Sequence, residues 1–286
     1  MNPEKTELLT FEDILKREDY VICDSALTSV ANLEWYWDGI YRARNFAGIN
    51  SEYVKREREY LESFLDLLTN PKVLVSEGVS LELQRARNMV GDKIKYLSGM
   101  EKLEKKKGKY HGGETQKELL SEVHDLFHES FKEAKRTSFS PGQKSEYGVL
   151  EKIVLSVTKH TNAKIDLDEF YEHRAKPKNT EDFHTDEQIV AAALYLSVIE
   201  NREGCILTRD SDIKRILKNT LSYLALSNAK EFNEFSSLTK TNEIRIYFVL
   251  DFKQAGFVFD SRSFDPLTIR KRFSEEVIDK INQETR

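Results

Sequence analysis

Cysteine is nearly absent: two residues in 286, Cys23 and Cys205. Both lie in short apolar runs that read as buried strands, and no metal-ligand spacing relates them. A disulfide framework is therefore not expected, and the thiols read as small buried hydrophobes. Long apolar runs are also missing. No stretch approaches the roughly 18 apolar residues of a membrane span, so no membrane partner is expected. Residues 1–19 lack the apolar core of a signal peptide. Nor is there a surplus of positive charge. The formal net charge of -5 argues against a protein that coats nucleic acid with a uniformly basic face. It leaves room for a local basic patch beside an acidic site. These absences lead to the expectation of a soluble, cytoplasmic protein.

What is present is a chain with 39% hydrophobic and 33% charged residues, enough for one large domain or a domain with a substantial insertion. Tyr20–Cys23 is short, apolar and continuous, as a strand buried on both faces should be. Residues 25–45 carry Leu27, Val30, Leu33, Trp37, Ile40 and Tyr41 at near-helical spacing. Residues 51–68 form a charged amphipathic helix, ended by Asn70-Pro71. A second strand is expected over 72–76 and a helix over 79–89. The lysine- and glutamate-rich stretch 93–136 reads as a projecting or loosely packed helical hairpin, broken by the glycines around His111. Another helix is expected over 148–160, a loop over 177–184, and a helix over 185–200 with Thr185 as its N-cap and Gly204 as its stop. A third strand over 205–208 opens into a helix at Asp212. Strands over 243–250 and 256–259 follow.

This order predicts an α/β fold with three layers and a mainly parallel central sheet, plus a helical insertion and C-terminal strands. The expected domain comprises residues 18–92 and 180–260, the insertion residues 93–179 and the C-terminal tail residues 261–286. In such sheets, sites form beyond the carboxyl ends of the strands. Those positions are acidic. Asp24 follows the first strand, Glu77 and Glu82 follow the second, and Asp210 and Asp212 follow the third. Asp186 opens the helix that feeds the third strand. Each acid alone is readily a turn, cap or first-turn residue; their recurrence after three strands is the signal. Clustered carboxylates repel and raise one another's pKa. A hard cation such as Mg²⁺ or Mn²⁺ removes that cost, and can activate water and stabilise the leaving oxygen of a phosphodiester.

The segments VICDSALT, VSEGVSLEL, TDEQIVAAAL and LTRDSDI resemble the ordered motifs of the PIN-domain family of metal-dependent nucleases. The resemblance covers roughly residues 18–90 and 180–220. It implies Asp24, Glu82, Asp186, Asp210 and Asp212 as metal-binding and catalytic carboxylates, with Thr208 supporting them and Ser25 and Glu77 as further supporting candidates. Glu77 is an alternative to Glu82, which precedes Leu83 as in the family pattern. The spacing of about a hundred residues between Glu82 and Asp186 departs from compact members. The implied activity is phosphodiester hydrolysis, with single-stranded RNA as the expected substrate.

Affinity for such a substrate comes mostly from Lys and Arg. Arg209 and Lys214 flank the acids; the run Lys102, Lys105, Lys106, Lys107 and Lys109, and the cluster Arg270, Lys271 and Arg272, are further candidates. The lysine run is otherwise a solvated helical tip. Trp35, Tyr36, Trp37 and Tyr41 could stack on bases, though helical spacing favours core packing. His124 and His128 form one i, i+4 pair, but a third ligand is missing. Two other readings, and one subtype of the nuclease, stand beside it. An aspartyl phosphotransferase would use Asp24, but Ala26 occupies the position where a second Asp is wanted. A catalytically inactive scaffold would bind RNA or protein, and a homo-oligomer or protein partner could use the insertion. A toxin of a toxin–antitoxin pair, a specialised form of the nuclease, fits poorly with the length and the long insertion.

Overall fold

Tyr20–Cys23 and Gly204–Thr208 are buried at every position, as strands covered on both faces must be. In the computed structural model, residues 8–28, 40, 42–141, 145–161, 183–227, 243–251 and 253–285 are described. Most of the predicted helix 25–45, with Trp35, Tyr36, Trp37 and Tyr41, lies outside them, as do residues 177–182 of the predicted loop.

The chain begins with β1 (Leu8–Thr10), α1 (Phe11–Arg17) and β2 (Tyr20–Cys23), followed by a 3-10 turn over Ser25–Thr28. Then come α2 (Ser51–Leu68), β3 (Val73–Leu74), α3 (Glu77–Lys106), α4 (Glu114–Arg136) and α5 (Ser145–Thr161). The second half holds α6 (Thr185–Val198), β4 (Gly204–Thr208), α7 (Ser211–Leu226), β5 (Ile244–Val249) and β6 (Gln254–Asp260). A 3-10 segment over Pro266–Arg272 leads to α8 (Glu275–Thr285).

The six strands form one mixed sheet in the order β1-β6-β5-β4-β2-β3. Pairing is parallel from β3 through β2 and β4 to β5, and antiparallel at β5–β6 and β6–β1. Ile22 stands opposite both Leu74 and Ile206. From β2 the chain moves outward to β3, then returns across β2 to β4 and continues to β5. Right-handed crossovers therefore place α2 on one face and α6 and α7 on the other. In accord with this, α2 packs on β3, and α6 packs on β2, β4 and β5. The strand order reverses between β2 and β4, which is where open α/β sheets form their crevice.

The α/β class and the mainly parallel sheet agree with expectation; several elements differ. α3 runs unbroken through residue 93, so the predicted domain boundary falls inside a helix. Val90, Lys93, Leu97 and Glu101 continue its buried face. α4 is not a loose projection. Leu119, Leu120, Val123 and Phe127 belong to the hydrophobic core, and α4 packs on α2 and α3. Beyond α4, Ser138 bridges Val75 at the end of β3, tying the hairpin to the sheet. The hairpin turn does fall at glycines, where Gly108, Gly112 and Gly113 have positive φ. Gly204 is the first residue of β4, not a helix stop. It lies so close to Tyr20 that a Cβ there would stand 2.6 Å from the Tyr20 ring and carbonyl oxygen. The predicted tail holds α8, whose Ile281 is buried in the core. No helix among the described residues is long and apolar enough to cross a membrane.

Candidate functional site

The Asp24 amide donates to the Leu207 carbonyl at 3.1 Å, carrying the β2–β4 ladder one residue past the strand. The 3-10 turn that follows turns the chain away and leaves the Asp24 carboxylate at the reversal point, with the residue 3% exposed. Across the ladder, the Thr208 hydroxyl donates to Asp24 Oδ2 at 2.7 Å and accepts the Asp210 amide at 2.8 Å. One hydroxyl thus orients an acid from β2 and the start of α7. Asp210 is the N-cap of α7, accepting the Asp212 amide at 2.7 Å.

Glu82 reaches the same place from the second turn of α3. It accepts from the Ser25 hydroxyl and from the Thr185 hydroxyl at 2.6 Å. Ser25 also lies 3.5 Å from Asp24 Oδ1, so it sits between the two carboxylates. Thr185 was expected to cap α6; instead His184 is the cap residue, in the left-handed region with φ 52, and the Thr185 hydroxyl is given to Glu82. Asp186 is half-buried and follows Thr185 in the same turn.

The N-termini of α3 and α6 meet at Gly78. Its amide donates to Gln188 Oε1 at 2.8 Å, and a Cβ there would stand 2.6 Å from Thr185 Oγ1 and 3.0 Å from Thr185 Cα. Replacing a helical Gly by Ala ordinarily gains up to about 1 kcal/mol. Here the overlap with backbone reverses the sign, because forced separation of packed elements costs about 1–3 kcal/mol. Gly78→Ala is expected to lower the denaturant midpoint and displace Thr185 from Glu82. An unchanged or raised midpoint in urea unfolding would sink this account.

The electrostatics of Asp24 are unfavourable. Its pKa is pushed up to about 7, chiefly by burial and further by the charges of Glu82 and Asp210, while the Thr208 hydroxyl and the Ala26 amide act in the opposite direction. A hard divalent cation would relieve that burden. The donors nearby are all oxygens, carboxylates and hydroxyls, which suits Mg²⁺ or Mn²⁺ and not a thiolate-seeking metal. Among the described residues, no group of three or more His, Cys, Asp or Glu side chains is arranged to hold a metal ion as it stands. The donor chemistry therefore fits such a cation, while a closed ligand cage is not preformed.

The remaining candidates divide. Glu77 is exposed at the start of α3, and its charge acts on Tyr147 and Glu151 of α5. The Ser25 and Thr185 hydroxyls go to Glu82. Asp212 forms an ion pair with Arg215, one turn along α7. Arg209 lies over the Tyr60 ring with its guanidinium 5.0 Å from the centroid. Lys214, expected to meet substrate, donates instead to the Val258 carbonyl at 2.9 Å, and burial lowers its pKa. His124 and His128 line a cleft of about 550 Å³ together with Arg87, Asn88, Asp92 and Lys95. The Arg87 guanidinium stands 3.1 Å from His128 Nδ1, a cation where a metal pair would need none. Sequence reading missed the role of Thr185. Its only signal was a hydroxyl in the turn that also carries Asp186.

No protein-family model, curated protein or solved structure matches the chain.

Proposed function

We propose that the protein is a metal-dependent nuclease of PIN-like type that hydrolyses phosphodiester bonds, with single-stranded RNA as its substrate. The observation that carries this reading is the Asp24–Ser25–Glu82 juxtaposition at the strand-order reversal, with Thr208 presenting Asp210 on the other side. Carboxylates brought together and burdened by one another's charge are what a cation site requires. Asp24, Glu82, Asp210 and the adjacent Asp186 would hold Mg²⁺ or Mn²⁺. When bound, such an ion supplies an activated water and stabilises the leaving oxygen. The chain's own groups do the positioning. Thr208, Ser25 and Thr185 fix carboxylate orientations through their hydroxyls. Arg209, which lies over Tyr60, is the guanidinium that would meet a phosphate oxygen.

The test is cleavage of labelled single-stranded RNA and DNA with Mn²⁺, Mg²⁺ or EDTA, using wild type and Asp210→Asn. Metal-dependent cutting of RNA, lost in EDTA and reduced at least about 100-fold in the variant, is expected. Equal cutting by both proteins, or none by wild type, would refute the nuclease. It would then leave a scaffold that binds RNA or protein without cutting.

A further inference from the structure

α7 starts at the candidate site and carries Lys214, Arg215 and Lys218 against the single acid Asp212. Its side is joined by a segment that begins about forty residues after the helix ends, Pro266–Arg272, which carries Arg270, Lys271 and Arg272 and no acid. The Ser222 hydroxyl donates to the Pro266 carbonyl at 2.7 Å, Arg272 reaches Asn219 at 3.5 Å, and the Tyr223 and Phe273 rings lie 6.5 Å apart. Lys218 is held over Phe259 and Phe264, at 5.5 and 5.3 Å from the ring centroids. Arg270, Lys271 and Arg272 are all exposed. At 1.5 Å per residue, Asn219 stands about 14 Å along the helix from Asp210. With Lys214 turned to the Val258 carbonyl, a chain of net charge -5 still gathers five cations, Arg215 and Lys218 of α7 and three from the distant segment, on one ridge descending from the acidic crevice.

We infer that this ridge, formed by α7 and residues 266–272, is a binding surface for the sugar-phosphate backbone of a nucleic-acid strand. The inference rests on the nuclease reading for its orientation toward the crevice, though binding can be measured apart from cutting. Backbone recognition asks for several cations with mobile, exposed ends and few competing acids. Arg270 and Lys271 meet that requirement best. Arg272 is steadied by Asn219, Lys218 by two rings, and Arg215 is shared with Asp212. The lysines at the α3–α4 tip are a weaker candidate. Lys105 is tied to Glu101 at 2.5 Å, and Glu104 stands among them.

The experiment is fluorescence anisotropy of a labelled single-stranded RNA in EDTA, titrated at several salt concentrations. It compares full-length wild type, R270E/K271E, and K102E/K106E. The last makes the same change in net charge elsewhere. Circular dichroism melting checks that each is folded. The expected result is an affinity loss of at least tenfold in R270E/K271E, with the slope of log K against log salt reduced by about 1.4, two single-strand phosphate contacts. K102E/K106E should change affinity less than about twofold. Four outcomes would overturn the inference: no RNA binding by wild type at low salt, unchanged binding in R270E/K271E, equal losses in both double variants, or binding of phosphatidylglycerol vesicles in place of RNA. If RNA binding depends on the ridge but wild type never cuts, the ridge stands and the nuclease falls. If wild type cuts but R270E/K271E binds normally, the reverse holds.

Discussion

Asp24→Asn is expected to abolish metal-dependent cleavage and, at the same time, to make the protein more stable above pH 7. The two effects share one cause. The Asp24 carboxyl is buried, and its pKa rises from 3.8 to about 7 under desolvation and the charges of Glu82 and Asp210. A raised acid binds its proton more tightly in the folded state than in the unfolded one. Folding stability contributed by this group is therefore present at low pH and falls as pH climbs from about 4 to about 7. Above that range the wild type carries the full cost of a buried anion. Asparagine has nearly the same shape, its Oδ1 can still accept from Thr208, and its amide can donate toward Ser25 and Glu82. At about 1.4 kcal/mol per pKa unit, relief on the order of 4 kcal/mol is expected at pH 8, shrinking toward zero near pH 4. Cleavage should fall by about 100-fold or more. Urea unfolding across that pH range, beside the cleavage assay, checks both. A variant less stable than wild type at pH 8 would mean that Asp24 is not under electrostatic strain, and the case for a cation there would lose its main support. The trade of stability against activity is the pattern expected of a functional site.

How much of this was legible depends on sequence distance. β2 and β4 could be read because both are short apolar runs buried on both faces, and Asp24, Thr208 and Asp210 lie within two residues of their ends. α2 was equally plain, since its buried Val54, Leu61, Phe64 and Leu68 recur at helical spacing. The bridges within the site were not legible. Ser25 and Glu82 are 57 residues apart, and Glu82 and Thr185 are 103 apart. No local pattern announces where a hydroxyl will go. The length of α3 was missed because Lys and Glu dominate its second half, though Val90, Leu97 and Glu101 keep one face buried. Lys214 shows the converse. Its place near the acids suggested a substrate contact, but a carbonyl on β6 lies within its reach, and sheet neighbours cannot be read from spacing. α8 is weakly marked in the sequence, since only Ile281 and Thr285 of its 11 residues are buried.

At the opposite end of the parallel strands from the acidic crevice, Arg245→Met is expected to be the most damaging single change outside the aliphatic core. Glu18, just before β2, has a side chain with 0% exposure. Arg245 of β5 forks onto both its oxygens, at 3.0 and 2.9 Å, and also grips Glu243. Tyr247 donates to Glu18 at 3.2 Å. Burial raises the Glu18 pKa, and Arg245 is the main influence holding it down. Removing one partner of a buried ion pair leaves an uncompensated charge and typically costs about 3–5 kcal/mol. Methionine keeps most of the aliphatic stem, so the loss reports the charge and not a cavity. The sign with pH follows. Without Arg245, the Glu18 carboxyl rises further above its ordinary value of 4.5. The deficit is therefore small in acid, where Glu18 is neutral in both states, and grows as pH rises through the carboxylate range toward neutrality. Glu18→Gln in the Arg245→Met background should recover much of the loss at pH 7, because an amide needs no counter-charge. The measurement is the urea midpoint of the two variants and wild type at about pH 4.5 and pH 7. A deficit independent of pH, or no rescue by Glu18→Gln, would assign the damage to packing in β5 instead of to the stranded carboxylate. Because this network lies at the far end of the sheet, folded Arg245→Met protein should retain wild-type cleavage at low temperature. Asp24→Asn should show the opposite combination, a firmer fold with no activity.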